Sequence, residues 1–119
     1  MILGIGCDIV KINRIALLIE RYGDHFKKKV FTSNEIASAI HYQKHEEAPY
    51  YAKRFAAKEA FAKAIGTGIG ILRFTDIEIS NNELGAPLIY CHKIKGLKVH
   101  ISLSDEIEFA LAYVVIEKI

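Results

Sequence analysis

The stretch Arg54-Phe55-Ala56-Ala57-Lys58-Glu59-Ala60-Phe61-Ala62-Lys63-Ala64-Ile65-Gly66-Thr67-Gly68-Ile69-Gly70 decides the fold class of this 119-residue chain. It completes a long helix that opens near Pro49, a residue suited to a first turn, and runs to about Ile65, where Gly66 ends it. Behind Gly70 the apolar period changes from 3.6 to 2, so the chain passes there from helix to strand. The fold expected is therefore α+β, with early helices packed on a largely antiparallel sheet.

Upstream, Ile2 to Ile9 reads as a strand with Leu3, Ile5, Cys7 and Ile9 on one face. Gly4, Gly6 and Asp8 share the other face, leaving open space around the carboxylate where something packs or binds. Asn13 suits a helix N-cap, with Ile15, Leu18, Ile19 and Tyr22 at helical spacing before Gly23 stops the run. Thr32-Ser33-Asn34-Glu35 has capping-box spacing and predicts a second helix to about Gln43. Downstream, Arg73–Ser80, Pro87–His92, Lys98–Leu103 and Phe109–Glu117 read as strands, with a turn over Asn81–Gly85. With no linker or repeat, residues 1–119 form a single domain.

A net charge of +2 is too small to indicate nucleic-acid binding. Cys7 and Cys91 stand apart in apolar runs, which excludes a thiolate zinc site and predicts buried, reduced thiols. The N-terminus lacks a signal-peptide pattern, and no apolar run approaches the roughly 20 residues that cross a bilayer. A soluble, cytoplasmic protein without membrane contact is expected.

Glu59 and Lys63 are four residues apart and share one helix face with Phe55. Taken alone they could be a simple helix-stabilising pair, and Gly66-Thr67-Gly68-Ile69-Gly70 an ordinary cap and turn. Alternatively, the glycines offer backbone N–H groups to a phosphate. Asp8 shifts the balance, because an aspartate in an apolar strand is costly to bury without a partner or a cation. Asp8 and Glu59 would give two hard oxygen ligands, which suits Mg²⁺ completed by water and phosphate oxygens. Lys63 would then neutralise a phosphate; the other reading of Asp8 is a salt bridge to Lys63 or Arg54.

These residues resemble a known family. Gly4-Ile5-Gly6-Cys7-Asp8-Ile9-Val10 with Arg14 resembles the GxGxDixxxxR signature of the holo-acyl-carrier-protein synthases. Phe31-Thr32 with Glu35 resembles the family's second element, and Arg54 to Gly70 its RFAAKEAFxKAxGTGIG signature. His100-Ile101-Ser102-Leu103-Ser104 resembles its late HVSLSH strand. The resemblance runs in register along the whole chain.

It implies transfer of 4′-phosphopantetheine from coenzyme A to a serine of apo-acyl carrier protein in fatty acid biosynthesis, releasing adenosine 3′,5′-bisphosphate. By position, Asp8 and Glu59 match the metal carboxylates and Lys63 a lysine near the pyrophosphate. Glu59, directly or through a water on the metal, is the leading proton acceptor. Arg54 and Lys58 could reach the adenosine 3′-phosphate, with Lys44 and Lys53 as alternatives. Gly66 and Gly68 belong to the phosphate loop. Gly85, Pro87, His100 and Ser102 border the coenzyme pocket across a subunit interface, because the family is typically a homotrimer; His100 could equally be a core histidine. Arg14 and Arg21, with Lys27-Lys28-Lys29, would form the basic surface for an acidic carrier protein.

Two positions depart from the family pattern: Asp105 stands where a histidine is common, and Leu84-Gly85-Ala86-Pro87 replaces an Asn-Gly-x-Pro turn. Three other readings rank lower. A nucleic-acid-binding domain lacks a matching motif. A metal site on His41 and His45 lacks a third ligand. Transferases acting on peptide or polyketide synthase carriers are usually about twice this length.

Overall fold

The computed structural model describes residues Met1–Ile119 and has the expected α+β architecture. Strand β1 (Ile2–Lys11) leads into helices α1 (Ile12–Tyr22), α2 (Asp24–Val30) and α3 (Ser33–Ala39), then the long α4 (Glu47–Ile65). Strands β2 (Ile77–Asn81), β3 (Pro87–Cys91), β4 (Leu97–Asp105) and β5 (Phe109–Lys118) follow. They form an antiparallel three-stranded sheet in the order β1-β5-β4 and a separate β2–β3 hairpin.

The period change at Gly70 is real, but the first strand after it starts later than Arg73. Phe74–Asp76 is a 3₁₀ turn, held by the Arg73 N–H donating to Asp76 Oδ2 at 2.9 Å. Asp76 is buried, and a hydrogen bond from Lys93 drives its carboxyl down to about 2. The Thr32 capping box forms as read, yet α3 ends at Ala39 rather than near Gln43. Helix α2 was not anticipated, because Asp24–Val30 has three consecutive lysines and only Phe26 and Val30 turned inward.

Helix α4 is the axis of the molecule. Its small residues, Ala52, Ala56, Ala57, Ala60 and Ala62, are fully buried, so neighbouring backbones come close on several sides. On β5, Ala110, Ala112, Val114 and Ile116 turn inward and are buried. The space beside Asp8 is filled by α4 itself. A Cβ added at Gly6 would stand 1.9 Å from the Ala60 carbonyl oxygen, and one at Gly4 would stand 2.0 Å from that of Ala64. Gly6→Ala must therefore push strand from helix and is expected to cost about 1–3 kcal/mol or more, read as a lowered denaturation midpoint. An unchanged midpoint would mean that the close approach is not maintained.

The opposite face of the sheet is open. Ile5, Ile9, Leu111 and Tyr113 are exposed there, and Cys7, opposite Tyr113, is exposed too. The expectation of two buried thiols thus holds for Cys91 alone. Cys7 turns outward because Gly6 and Asp8, on either side of it, take the helix-facing side of the strand.

Candidate active site

Asp8, Glu59 and Lys63 come together where β1 crosses the second half of α4. Lys63 Nζ donates to Asp8 Oδ1 at 3.1 Å and to the Cys7 carbonyl at 3.0 Å. Burial raises the Glu59 carboxyl above its ordinary range, and the negative charge of Asp8 raises it further. Lys63 and Arg14 oppose that shift. The cluster thus holds two mutually repelling carboxylates with two cations at its edge. Such a pair of hard oxygen donors, part exposed and stabilised by gaining a positive charge, fits a divalent cation that keeps water and phosphate ligands. Arg14 lies 5.5 Å from the Phe55 ring centroid, which ties the basic face of α1 to this place. Along that face Lys11, Arg14, Leu17 and Arg21 line a shallow groove.

A second feature lies on a different face of α4, toward its first half. A cavity of about 380 Å³ is lined by His45, Lys53, Arg54, Gly85, Pro87 and Asp105, among others. Arg54 stacks on Tyr50, its Cζ 3.6 Å from the ring centroid, and Nη2 donates to Asn81 Oδ1 at 2.7 Å. Its Nε–H is buried without any partner, and the residue as a whole is 4% exposed. An unpaired buried donor is costly. Asn81 also donates from Nδ2 to the Gly85 carbonyl at 3.0 Å. A side-chain amide is therefore present at the cavity despite the altered Leu84–Pro87 turn.

Two expectations are corrected. Lys58 is fully buried and cannot reach a phosphate. Its three N–H donors go to Glu35 Oε1 at 2.6 Å, the Val30 carbonyl at 2.9 Å and the Phe74 carbonyl at 3.0 Å. Burial pulls its ammonium below the ordinary lysine range, against the pull of Glu35. Lys53, named as an alternative, lines the cavity instead. Gly66 and Gly68 are likewise not free phosphate donors. Both have positive φ and both N–H groups close the end of α4, Gly66 on the Ala62 and Lys63 carbonyls and Gly68 on that of Ala62. The unpaired carbonyls of a helix end take up these donors.

His100 and Ser102 lie on the open face of the sheet, away from both features. His100 Nε2 meets Glu117 Oε1 at 2.7 Å, and that contact lowers the Glu117 carboxyl. It is not a core histidine. Sequence reasoning missed Asn81 and the role of Glu35. Glu35 had been read as the last member of a capping box and as part of the second family element, and neither reading says which way its second oxygen turns.

The 4′-phosphopantetheinyl transferase superfamily model matches residues 4–114. A holo-[acyl-carrier-protein] synthase of Wolbachia sp. subsp. Drosophila simulans is 47% identical over 117 residues, covering 98% of each chain. That of Oceanobacillus iheyensis is 46% identical over 120 residues, again covering 98% of each. A Bacillus anthracis holo-(acyl-carrier-protein) synthase solved in complex with CoA (3′,5′-ADP) superposes with a TM-score of 0.90 at 41% identity, over 99% of this chain and 98% of that one. A Helicobacter pylori synthase in complex with coenzyme A gives 0.84 at 35%, over 95% and 99%.

Proposed function

The chain belongs to the 4′-phosphopantetheinyl transferase superfamily, and from that premise we propose that it is a holo-acyl-carrier-protein synthase. It transfers the 4′-phosphopantetheine of coenzyme A to apo-acyl carrier protein. The observation that carries the reading is the meeting of Asp8, Glu59 and Lys63 at one crossing of strand and helix.

The carrier serine oxygen forms a bond to the pantetheine-bearing phosphorus of the pyrophosphate. The bridging P–O bond breaks, and adenosine 3′,5′-bisphosphate leaves with that oxygen and its electron pair. Such a transfer is governed by positioning and charge. Asp8 and Glu59 would hold Mg²⁺, which supplies positive charge to the pyrophosphate when bound. Lys63 sits 3.1 Å from Asp8 and adds a mobile ammonium for a non-bridging oxygen. Glu59 would accept the serine proton, directly or through a bound water.

The cavity beside Arg54 takes the nucleotide end of the coenzyme, with the Arg54 side chain, held by Asn81, as part of its lining. Arg54 and Glu59, five residues apart on α4, point about 140° from one another around the helix, so this cavity and the carboxylate cluster occupy different faces. That arrangement, together with the open apolar face bearing Ile5, Ile9 and Tyr113, supports a homotrimer with sites shared between subunits. His100 and Ser102 would join a neighbour's site across such an interface. Arg14 and Arg21, flanking the exposed Leu17 on α1, offer docking charge to an acidic carrier protein. Fatty acid biosynthesis in the cytoplasm is the setting this activity fits.

Intact-mass analysis of apo-acyl carrier protein incubated with the protein, coenzyme A and Mg²⁺ tests the reading. The carrier is expected to gain one phosphopantetheine, and EDTA is expected to abolish the gain. No gain from folded protein with several carriers would remove the assignment, and a gain unaffected by EDTA would remove the metal.

A further inference from the structure

The cavity beside Arg54 contains its own competitor for the ligand. Lys53 Nζ is held by Asp105 Oδ1 at 3.1 Å, and both side chains are about two-thirds buried, with relative exposures of 30% and 34%. Both line the same cavity as Arg54. Arg54 is already committed through Nη2 to Asn81 and through Nη1 to the Tyr50 carbonyl. Of these two cations at the cavity, Lys53 is thus turned toward a carboxylate and Arg54 is anchored by two of its nitrogens. Asp105 follows the end of the His100–Ser104 run, at the point where β4 reaches the cavity rim.

We propose that Asp105 sets coenzyme specificity by withholding Lys53, so that the cavity reads the adenosine 3′-phosphate weakly. This rests on the reading that the nucleotide end of coenzyme A lies in this cavity. A phosphate arriving beside Lys53 must displace Asp105 and then remains next to a displaced carboxylate. Both effects weaken recognition of a 3′-phosphate, while neither touches a nucleotide that lacks one. Removing the charge at position 105 frees Lys53 and removes the repulsion together.

Titration calorimetry of the full-length protein with adenosine 3′,5′-bisphosphate and with adenosine 5′-monophosphate separates these effects. Asp105→Asn is expected to tighten the bisphosphate by about fivefold, the scale of one part-exposed ion pair, and to leave the monophosphate unchanged. In a Lys53→Met background the same substitution should recover much less, because the withheld cation is gone. An Asp105→Asn protein that binds both nucleotides as before, or both more weakly, overturns the proposal; the second result would make Asp105 a ligand contact. Arg54→Gln tests the underlying reading separately. It should weaken both nucleotides, and unchanged binding would place the nucleotide elsewhere, whatever Asp105 does.

Discussion

Glu59→Gln is expected to lower kcat/KM for phosphopantetheine transfer by about 10³-fold while leaving the protein folded. The substitution keeps the size of the side chain and its place on α4 but removes one of two carboxylates at the crossing with β1. The remaining anion, Asp8, is already hydrogen bonded to Lys63 at 3.1 Å, so neither a cation ligand pair nor a free proton acceptor survives. Stability should move the other way. Burial and the charge of Asp8 both raise the Glu59 carboxyl, so its ionised form is strained in the folded state. A neutral amide relieves that strain, and the denaturation midpoint should hold or rise. Steady-state transfer assays paired with urea unfolding read both effects. Activity within tenfold of the unsubstituted protein would exclude Glu59 from the chemistry. A large drop in stability would make the lost activity a matter of folding. Asp8→Asn should show the same loss of activity, and it also weakens the Lys63 contact.

The Asp8–Glu59–Lys63 cluster was legible in the sequence because both periodicities were strong. A period of 2 put Gly4, Gly6 and Asp8 on one strand face, and a period of 3.6 put Phe55, Glu59 and Lys63 on one helix face. The glycines beside Asp8 left space there for something to pack or bind. The fold class followed from the switch at Gly70 for the same reason. What could not be read was how each polar group is used. Lys58 and Lys63 look alike on paper, five residues apart in one alanine-rich helix. Packing alone decides that Lys58 is sealed among Val30, Glu35 and Phe74 while Lys63 is about half exposed. The N–H groups of Gly66 and Gly68 are claimed by the local geometry of a helix end, which composition does not disclose. The cavity at Arg54 draws on α4, the β2–β3 hairpin and the end of β4, so no short motif contains it. Asp105 was visible only as a departure from a family pattern. Its meaning comes from Lys53 at 3.1 Å.

The buried pair Lys58–Glu35 leads to the other large prediction. Lys58→Met is expected to destabilise the protein by about 3–5 kcal/mol, because it strands a buried carboxylate without its cation. At this chain length that corresponds to a fall in Tm of roughly 10–25 °C. Glu35 cannot turn to solvent for relief. Its Oε1 accepts from the Thr32 N–H at 2.8 Å as well as from Lys58, and its Oε2 accepts from the Ile79 N–H at 2.7 Å. These bonds tie the start of α3 to β2; Lys58 ties both to α4 through Glu35, and ties the end of α2 and the 3₁₀ turn to α4 through the carbonyls of Val30 and Phe74. Methionine fills the space of the lysine stem but leaves those two carbonyls unpaired as well. Adding Glu35→Gln to Lys58→Met should recover part of the loss by removing the buried charge, and only part, because the amide oxygen accepts one of the two backbone N–H bonds while its NH2 faces the other. Denaturant unfolding of the two single variants and the double variant measures this coupling. A single-variant loss below about 1 kcal/mol would be the scale of an exposed pair, and would mean that water reaches Glu35 once Lys58 is gone. If the prediction holds, this pair also keeps the β2–β3 hairpin on α4. Asn81, which positions Arg54 at the cavity wall, is then held in place by a charge pair that never meets the ligand. Weakened nucleotide binding in Lys58→Met, measured well below its own Tm, would be the sign of that dependence.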